Sequence, residues 1–291
     1  MQLLTRESNG CVEKVKFLIE RKLVSYREFS RLVYAGRQAI GKPTLMNRMQ
    51  LRMASGVCAA AILDGILPRH CILCGLASGE ENLCPPCAAE LPRTGHGCAK
   101  CGLPLRLSTD RICGACLVVT PPWDDAIGAL LYHFPVDQLV CRFKFGRNLA
   151  CGQVLARELA TAVNEKCEET PDCIVPVPLH RTRLFLRTFN QAELLARQLG
   201  KNLAIPVRDN ILYRVRRTRA QSGLDAADRR KNMKGAFRCR RIAAVSPAFE
   251  HVAVIDDVMT TGVTLAECTR TLQRAGALRV SAWVAARAPA P

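Results

Sequence analysis

Eight of the sixteen cysteines fall into four Cys-x-x-Cys pairs: Cys71/Cys74, Cys84/Cys87, Cys98/Cys101 and Cys113/Cys116. The stretches between successive pairs are 9, 10 and 11 residues long. Few structures satisfy that spacing. Paired knuckles joined by short loops suit tetrahedral Zn2+ held by four thiolates. Gly75, Gly102 and Gly114 each follow a cysteine, where the chain must turn around a metal. Two structural zinc ions are expected, because eight thiolates leave no open position for catalysis. Sequential pairing, first with second and third with fourth, closes each loop locally; a crossed pairing that interleaves the two stays open. A locally closed ribbon module is expected to unfold on chelation while sparing most of the remaining chain. Cys141, Cys151, Cys173, Cys239 and Cys268 stand in mostly apolar contexts and read as small core residues.

A chain of 291 residues with 49% hydrophobic content has room for one large globular domain or two smaller ones. The longest mostly apolar stretch, residues 56–67, is short and broken by Asp64, so no membrane insertion is expected. Arg6, Glu7 and Glu13 stand where a secretory signal needs an apolar segment, so a cytoplasmic location is expected. The net charge of +17 is uneven: +7 for residues 1–53, −3 for 54–173, +13 for 174–241 and zero thereafter. A basic block that local points to polyanionic partners, whether phosphates, nucleic acid or both.

The basic block overlaps a βα rhythm. Helical residues 149–163 precede an apolar run at 173–175, which Pro176 and Pro178 end. The loop that follows carries Arg181, Arg183 and Arg187, and Asn190 to Glu193 reads as a helix cap. Strand, basic loop and helix N-terminus together make an anion site. Residues 214–237 are dense in arginine without apolar periodicity and read as a mobile excursion. Arg214, Arg216, Arg217 and Arg219 are its candidates for gripping single-stranded DNA through phosphates. His180 reads as a loop hydrogen-bonding group. Tyr132 and residues 143–146 read as a core edge from which Lys144 extends its amine to water.

Residues 251–267, HVAVIDDVMTTGVTLAE, then pose a chemical question. Val252 to Ile255 read as a buried strand, and Thr264 to Glu267 have the form of a capping box. Asp256 and Asp257 are therefore expected in a strand-to-helix loop, where ligands bind in α/β folds. Thr260, Thr261, Gly262 and Thr264 offer hydroxyls, backbone N–H groups and a helix N-terminus suited to a phosphate monoester. The two carboxylates suit vicinal sugar hydroxyls. A ribose 5-phosphate satisfies both halves, and the arginines at 181–187 suit a pyrophosphate at C1. Residues 280–286 read as the final strand.

The stretch IDDVMTTG resembles the signature of type I phosphoribosyltransferases. With the Cys-x-x-Cys pairs, VPVPLHRTRLFLRTFNQAELLA and RRTRAQSGLDAADRRKNMKGAF in that order, residues 60–287 resemble the ComF family of competence-associated proteins. The resemblance implies a doubly wound α/β sheet of the type I phosphoribosyltransferase kind behind an N-terminal double zinc ribbon. The expected domains are a basic extension at 1–55, the ribbons at 56–122 and the phosphoribosyltransferase-like domain at 123–291. Met46, Met49 and Met53 leave a misassigned start open for the first of these. The implied function is binding of phosphoribosyl diphosphate with Mg2+, in DNA uptake during natural transformation and in contact with single-stranded DNA. In a transferase reading, Asp256 and Asp257 also favour positive charge developing on the sugar, and Arg181 and Arg183 with Mg2+ hold the departing pyrophosphate. The alternative is a non-catalytic DNA-binding adaptor that uses this fold for interaction or sensing. No hood for a nucleobase acceptor is identifiable. The chain departs from the family pattern at Thr188, where the family carries Gly between Arg and Phe-Asn, so a different backbone is expected there.

Overall fold

The structure, a computed structural model, describes residues 69–79, 81–105, 111–216, 226–240 and 250–289, all within one compact unit, Pro68–Pro291. The expected extension at 1–55 and the start of the ribbon region lie outside the described residues. Two short strands, β1 (Arg69–His70) and β2 (Ala77–Gly79), form the first knuckle. Short helices α1 (Pro85–Ala89) and α2 (Gly114–Val118) each begin on a cysteine of a Cys-x-x-Cys pair.

A four-stranded parallel sheet follows, built from β3 (Asp125–Leu131), β4 (Cys173–Pro176), β7 (His251–Met259) and β8 (Arg279–Arg287). Its order is β3-β8-β7-β4. Parallel strands buried on both faces must be apolar on both, and β7 shows it. Ala253 and Ile255 join one core with Trp283, while Val252 and Val254 join the other with Val280 and Val284. Helices α3 (Val136–Lys144), α4 (Leu149–Lys166) and α6 (Gln191–Leu203) cover the first face. Helix α8 (Val263–Arg274) covers the second, joined by the hairpin of β5 (Leu212–Arg214) and β6 (Phe237–Cys239) and by α7 (Ala226–Met233). Helix α4 starts where the Asn148 side chain accepts from the Cys151 N–H, and it buries Leu155, Leu159 and Val163. Burying each such side chain contributes about 1.5–3 kcal/mol. The fold class expected from the sequence is the one observed.

Several local expectations change. The arginines at 181–187 lie on a helix, α5 (Arg181–Arg187), whose cap is His180: its Nδ1 accepts the Thr182 N–H at 3.3 Å. The basic excursion is structured where it is described, because Leu212 and Phe237 are buried and pull their strands onto the second core. Strand β7 runs four residues beyond Ile255, because β8 is equally long and pairs through Met259 and Arg287. Both carboxylates therefore stand inside the ladder rather than in a loop. The capping box is absent: α8 starts at Val263 with Gly262 at its cap, and Glu267 instead accepts the Gly235 N–H at 2.8 Å.

Thr188 ends α5 with φ of 68°, the left-handed conformation glycine adopts without strain. The backbone thus takes at Thr188 a conformation open to glycine, so threonine does not by itself force a different turn there. A β-branched residue there costs about 1–2 kcal/mol, partly recovered because threonine has fewer unfolded conformations than glycine. Thr188→Gly should therefore stabilise the protein by about 0.5–1 kcal/mol in urea unfolding. A destabilised variant would show that the Thr188 hydroxyl, which donates to the Arg187 carbonyl, outweighs the strain.

Candidate functional site

Strand β4 passes its chain to the α6 face and the neighbouring β7 passes its chain to the α8 face. Where connections diverge like this, neither loop can close over the carboxyl ends of the strands, and a crevice opens. It encloses about 780 Å³. Asp256, Asp257, Thr260, Gly262 and Thr264 line one wall, with Arg183, Arg187 and Arg214 also on the lining.

The side chains of Asp256 and Asp257 leave β7 on opposite sides of the sheet, as successive strand residues must. Asp257 meets a base on its own face. Lys144, from the last turn of α3, places Nζ 3.0 Å from Asp257 Oδ1, with both side chains largely buried. Burial pushes the Asp256 carboxyl up to about 7, and the Asp257 charge adds to it, against the opposing pull of Lys144 and Arg214. Burial and the Arg183 charge bring the Arg214 guanidinium down to about 10. Arg214 lies 5.4 Å from the Phe237 ring centre and Arg187 lies 5.2 Å from that of Phe145.

The crevice gathers most of the expected site residues. Arg181 and Thr261 are exposed and stand outside its lining. Arg214, assigned from sequence to a nucleic-acid grip, lines the crevice, because strand β5 carries it inward beneath Phe237. Arg216 is exposed and donates to the carbonyls of Asn232 and Lys234 at 2.9 and 2.6 Å. Arg217 and Arg219 lie outside the described residues. Sequence reasoning missed Lys144, which does not extend to water but turns onto Asp257; nothing in Phe-Lys-Phe distinguishes the two outcomes. Gly262 carries a signal that was legible: φ of 73° at the head of a helix lets its first-turn N–H groups face the crevice.

Cysteine sulfurs meet in two groups, Cys71/Cys74/Cys84/Cys87 and Cys98/Cys101/Cys113/Cys116, each with all four within 4.8 Å of one another. That is the sequential pairing. Cys74 and Cys84 sulfurs are 3.6 Å apart and those of Cys101 and Cys113 are 3.7 Å apart. A tetrahedron with Zn–S near 2.3 Å requires about 3.8 Å, so both tetrads fit structural zinc. Burial raises the Cys71 thiol, but the backbone N–H groups of Cys74, Cys84 and Leu73 outweigh it and bring it down to about 6.

The fold and the two tetrads define a double zinc ribbon joined to an α/β domain whose parallel sheet is covered on both faces. Residues 62–117 match the family model of the double zinc ribbon domain. The chain is 37% identical to Competence protein F of Haemophilus influenzae, over 75% of this chain and 97% of that protein. It is 34% identical to DNA utilization protein YhgH of Escherichia coli K12, over 76% and 98% respectively. Identity to Competence protein ComFC of Bacillus subtilis is 25%, over 69% and 82%. The chain belongs to the ComF family of competence proteins.

The ribbons are not an isolated module. Cys71, Leu83, Cys84 and Leu91 share a core with Leu130, Leu139 and Leu155, and Arg93 bridges Leu130 along the outer edge of β3. Zinc binding at neutral pH supplies on the order of 10 kcal/mol per structural site. Metal analysis should find two zinc ions per chain, and chelation should lower the thermal midpoint of the whole α/β unit. An α/β midpoint indifferent to chelator would restore the independent module.

Asp256 yields a pH prediction. Its raised carboxyl contributes stability that is fully present below the ordinary carboxylate value and lost as pH rises through about 7. Asp256→Asn removes the buried charge, so its melting midpoint should exceed that of the wild type at pH 8 and approach it at pH 4. An equal gap at both values would mean that Asp256 titrates like an exposed carboxylate.

Proposed function

We propose that this chain binds phosphoribosyl diphosphate with Mg2+ in the crevice and acts in the uptake and use of DNA. The observation that carries the reading is one crevice holding a carboxylate pair, a threonine-rich loop on a helix N-terminus and arginines. Asp256 and Asp257 would accept from the ribose 2- and 3-hydroxyls. Thr260, Thr264 and the first-turn N–H groups of α8 would hold the 5-phosphate. Arg183 and Arg187 would hold the pyrophosphate with bonds stronger than neutral ones. Lys144 would keep Asp257 in place while it accepts. Mg2+ takes one or two carboxylates plus substrate phosphates, a donor set that Asp256 and Asp257 begin, and when bound it would neutralise pyrophosphate charge. The names of the relatives, which match over 97% and 98% of their lengths, support the role in DNA uptake and use. Among the described residues no helix is long and apolar enough to cross a membrane. A cytoplasmic site of action is part of the proposal.

A second reading keeps the crevice for sensing without turnover. The Lys144–Asp257 ion pair favours it, because an arriving sugar must share Asp257 with α3 and could thereby move that helix. Pyrophosphate release in the presence of candidate bases separates the two.

Calorimetry with phosphoribosyl diphosphate and Mg2+ tests the site. Charge-assisted bonds contribute about 1.5–3 kcal/mol each, so Asp256→Asn with Asp257→Asn should weaken binding tenfold or more. Arg183→Ala should do the same, whereas Arg181→Ala, outside the lining, should change little. Equal binding by wild type and the double variant would overturn the assignment.

Single-stranded DNA is proposed to meet Arg216, Arg217 and Arg219 of the basic segment, without Arg214. With a slope of about −0.7 per phosphate contact, replacing Arg216, Arg217 and Arg219 by Ala should flatten the salt dependence by about 2. A slope unchanged by the three substitutions rules this segment out.

A further inference from the structure

Two buried side chains run from the second ribbon to the loop that lines the crevice. Arg287, at the end of β8 and 7% exposed, donates from Nε to the Cys101 carbonyl at 2.7 Å. Its Nη1 donates to the carbonyls of Met259 at 3.0 Å and Thr260 at 2.7 Å, and also to that of Ala288. Trp123, 4% exposed, donates from Nε1 to the Lys100 carbonyl at 2.6 Å. The far edge of its indole packs on Gly262, where an added Cβ would lie 2.7 Å from Cη2. Lys100 reciprocates, with Nζ donating to the carbonyls of Trp123 at 3.3 Å and Asp124 at 2.6 Å. Ala126 N donates to the Ala99 carbonyl at 2.7 Å, closing the knuckle onto β3.

The knuckle at residues 99–102 therefore supports both ends of the turn from Met259 to Gly262. Its carbonyls stand where they do because Cys98 and Cys101 converge on one point with Cys113 and Cys116. Metal at that point fixes the knuckle, and four thiols without metal do not. The first tetrad's ribbon is tied instead to α3 and α4. Arg142 Nη1 donates to the Ile72 carbonyl at 2.6 Å, Asn82 Nδ2 to Gln153 Oε1 at 2.8 Å, and Arg157 pairs with Glu81.

We infer that metal in the second tetrad positions the phosphate-binding loop through Arg287 and Trp123, so that its occupancy sets affinity in the crevice while that of the first tetrad does not. The ligand rests on the phosphoribosyl reading; the mechanical link does not. Arg287 and Trp123 are positioning residues. A rigid guanidinium fork reaches the Cys101 carbonyl from Nε and the Met259 and Thr260 carbonyls from Nη1, whereas a lysine ammonium offers its donors from a single atom.

Hydrogen exchange on the full chain tests the link without any ligand. Cys113→Ser, keeping a single zinc, should speed exchange by about tenfold or more at the Ala266 and Ala288 amides, which donate to the Gly262 and Met259 carbonyls, as expected when a local support is lost. Cys74→Ser, also keeping a single zinc, should leave those amides near wild type. Arg287→Lys and Trp123→Phe avoid the metal ligands and guard against misfolding of the cysteine variants. Both should keep two zinc ions, speed exchange at the Ala266 and Ala288 amides and leave residues 252–255 protected. Calorimetry with phosphoribosyl diphosphate should show about tenfold weaker binding by Arg287→Lys, the effect of losing one charge-assisted bond. Equal exchange in the two cysteine variants, or unchanged exchange in Arg287→Lys, overturns the inference. The expected exchange pattern in a wild type that does not bind phosphoribosyl diphosphate supports the link and overturns the phosphoribosyl reading instead.

Discussion

The ladder between β7 and β8 governs the crevice. It continues to Met259 and Arg287, well past the apolar run that begins β7. A carboxylate in a loop could turn to water, but one held in a parallel ladder must take the side its position dictates. Asp257 falls on the α3 face and Asp256 on the α8 face. Burying two adjacent carboxylates is costly unless each is paired or protonated. Lys144 pairs with one, and the other rises toward neutrality as a carboxyl. The same ladder sets Arg287 at the strand end, where its guanidinium gathers the carbonyls of the following turn.

Zinc enters this arrangement as part of the core rather than as an appendage. The α/β unit leaves β3 at one edge of its sheet, and unpaired edges invite association with other chains. The connection between the ribbons covers that edge: Thr94 N donates to the Ala129 carbonyl and Leu131 N to the Pro92 carbonyl. Gly102 lies against Gly128, with room for no Cβ on its side of the contact, since one would stand 2.9 Å from the Gly128 nitrogen. Removing either metal therefore acts on the sheet as well as on the knuckles.

Much of this was legible in the residues. Cys-x-x-Cys spacing announced two tetrads, because a tetrahedral ion admits few chain geometries. β-Branched runs with two apolar faces announced a covered parallel sheet, and Asn190 marked the helix start that its side chain caps. The place of Thr260, Gly262 and Thr264 beside a helix start was readable because a polar, glycine-containing stretch between an apolar run and a helix marks that turn. Less legible were ends and orientations. The capping box at Thr264 was a local preference that a competing cap, Gly262, and a distant amide, Gly235, displaced.

Sequence by itself determined the two cysteine tetrads, the class of fold and the apolar run that begins β7, since each depends on spacing along one chain. Tertiary structure alone decided which bases face those carboxylates. Lys144 stands more than a hundred positions from Asp257, and only the packing of α3 against the sheet brings them together. It likewise drew Arg214 into the crevice while leaving Arg216 at the surface, because β5 ends at Arg214 beside the buried Phe237 and Arg216, beyond the strand, turns to the Asn232 and Lys234 carbonyls. Long-range electrostatic partners have no sequence period. They follow from where apolar surfaces meet, and that is settled only when the whole chain has packed.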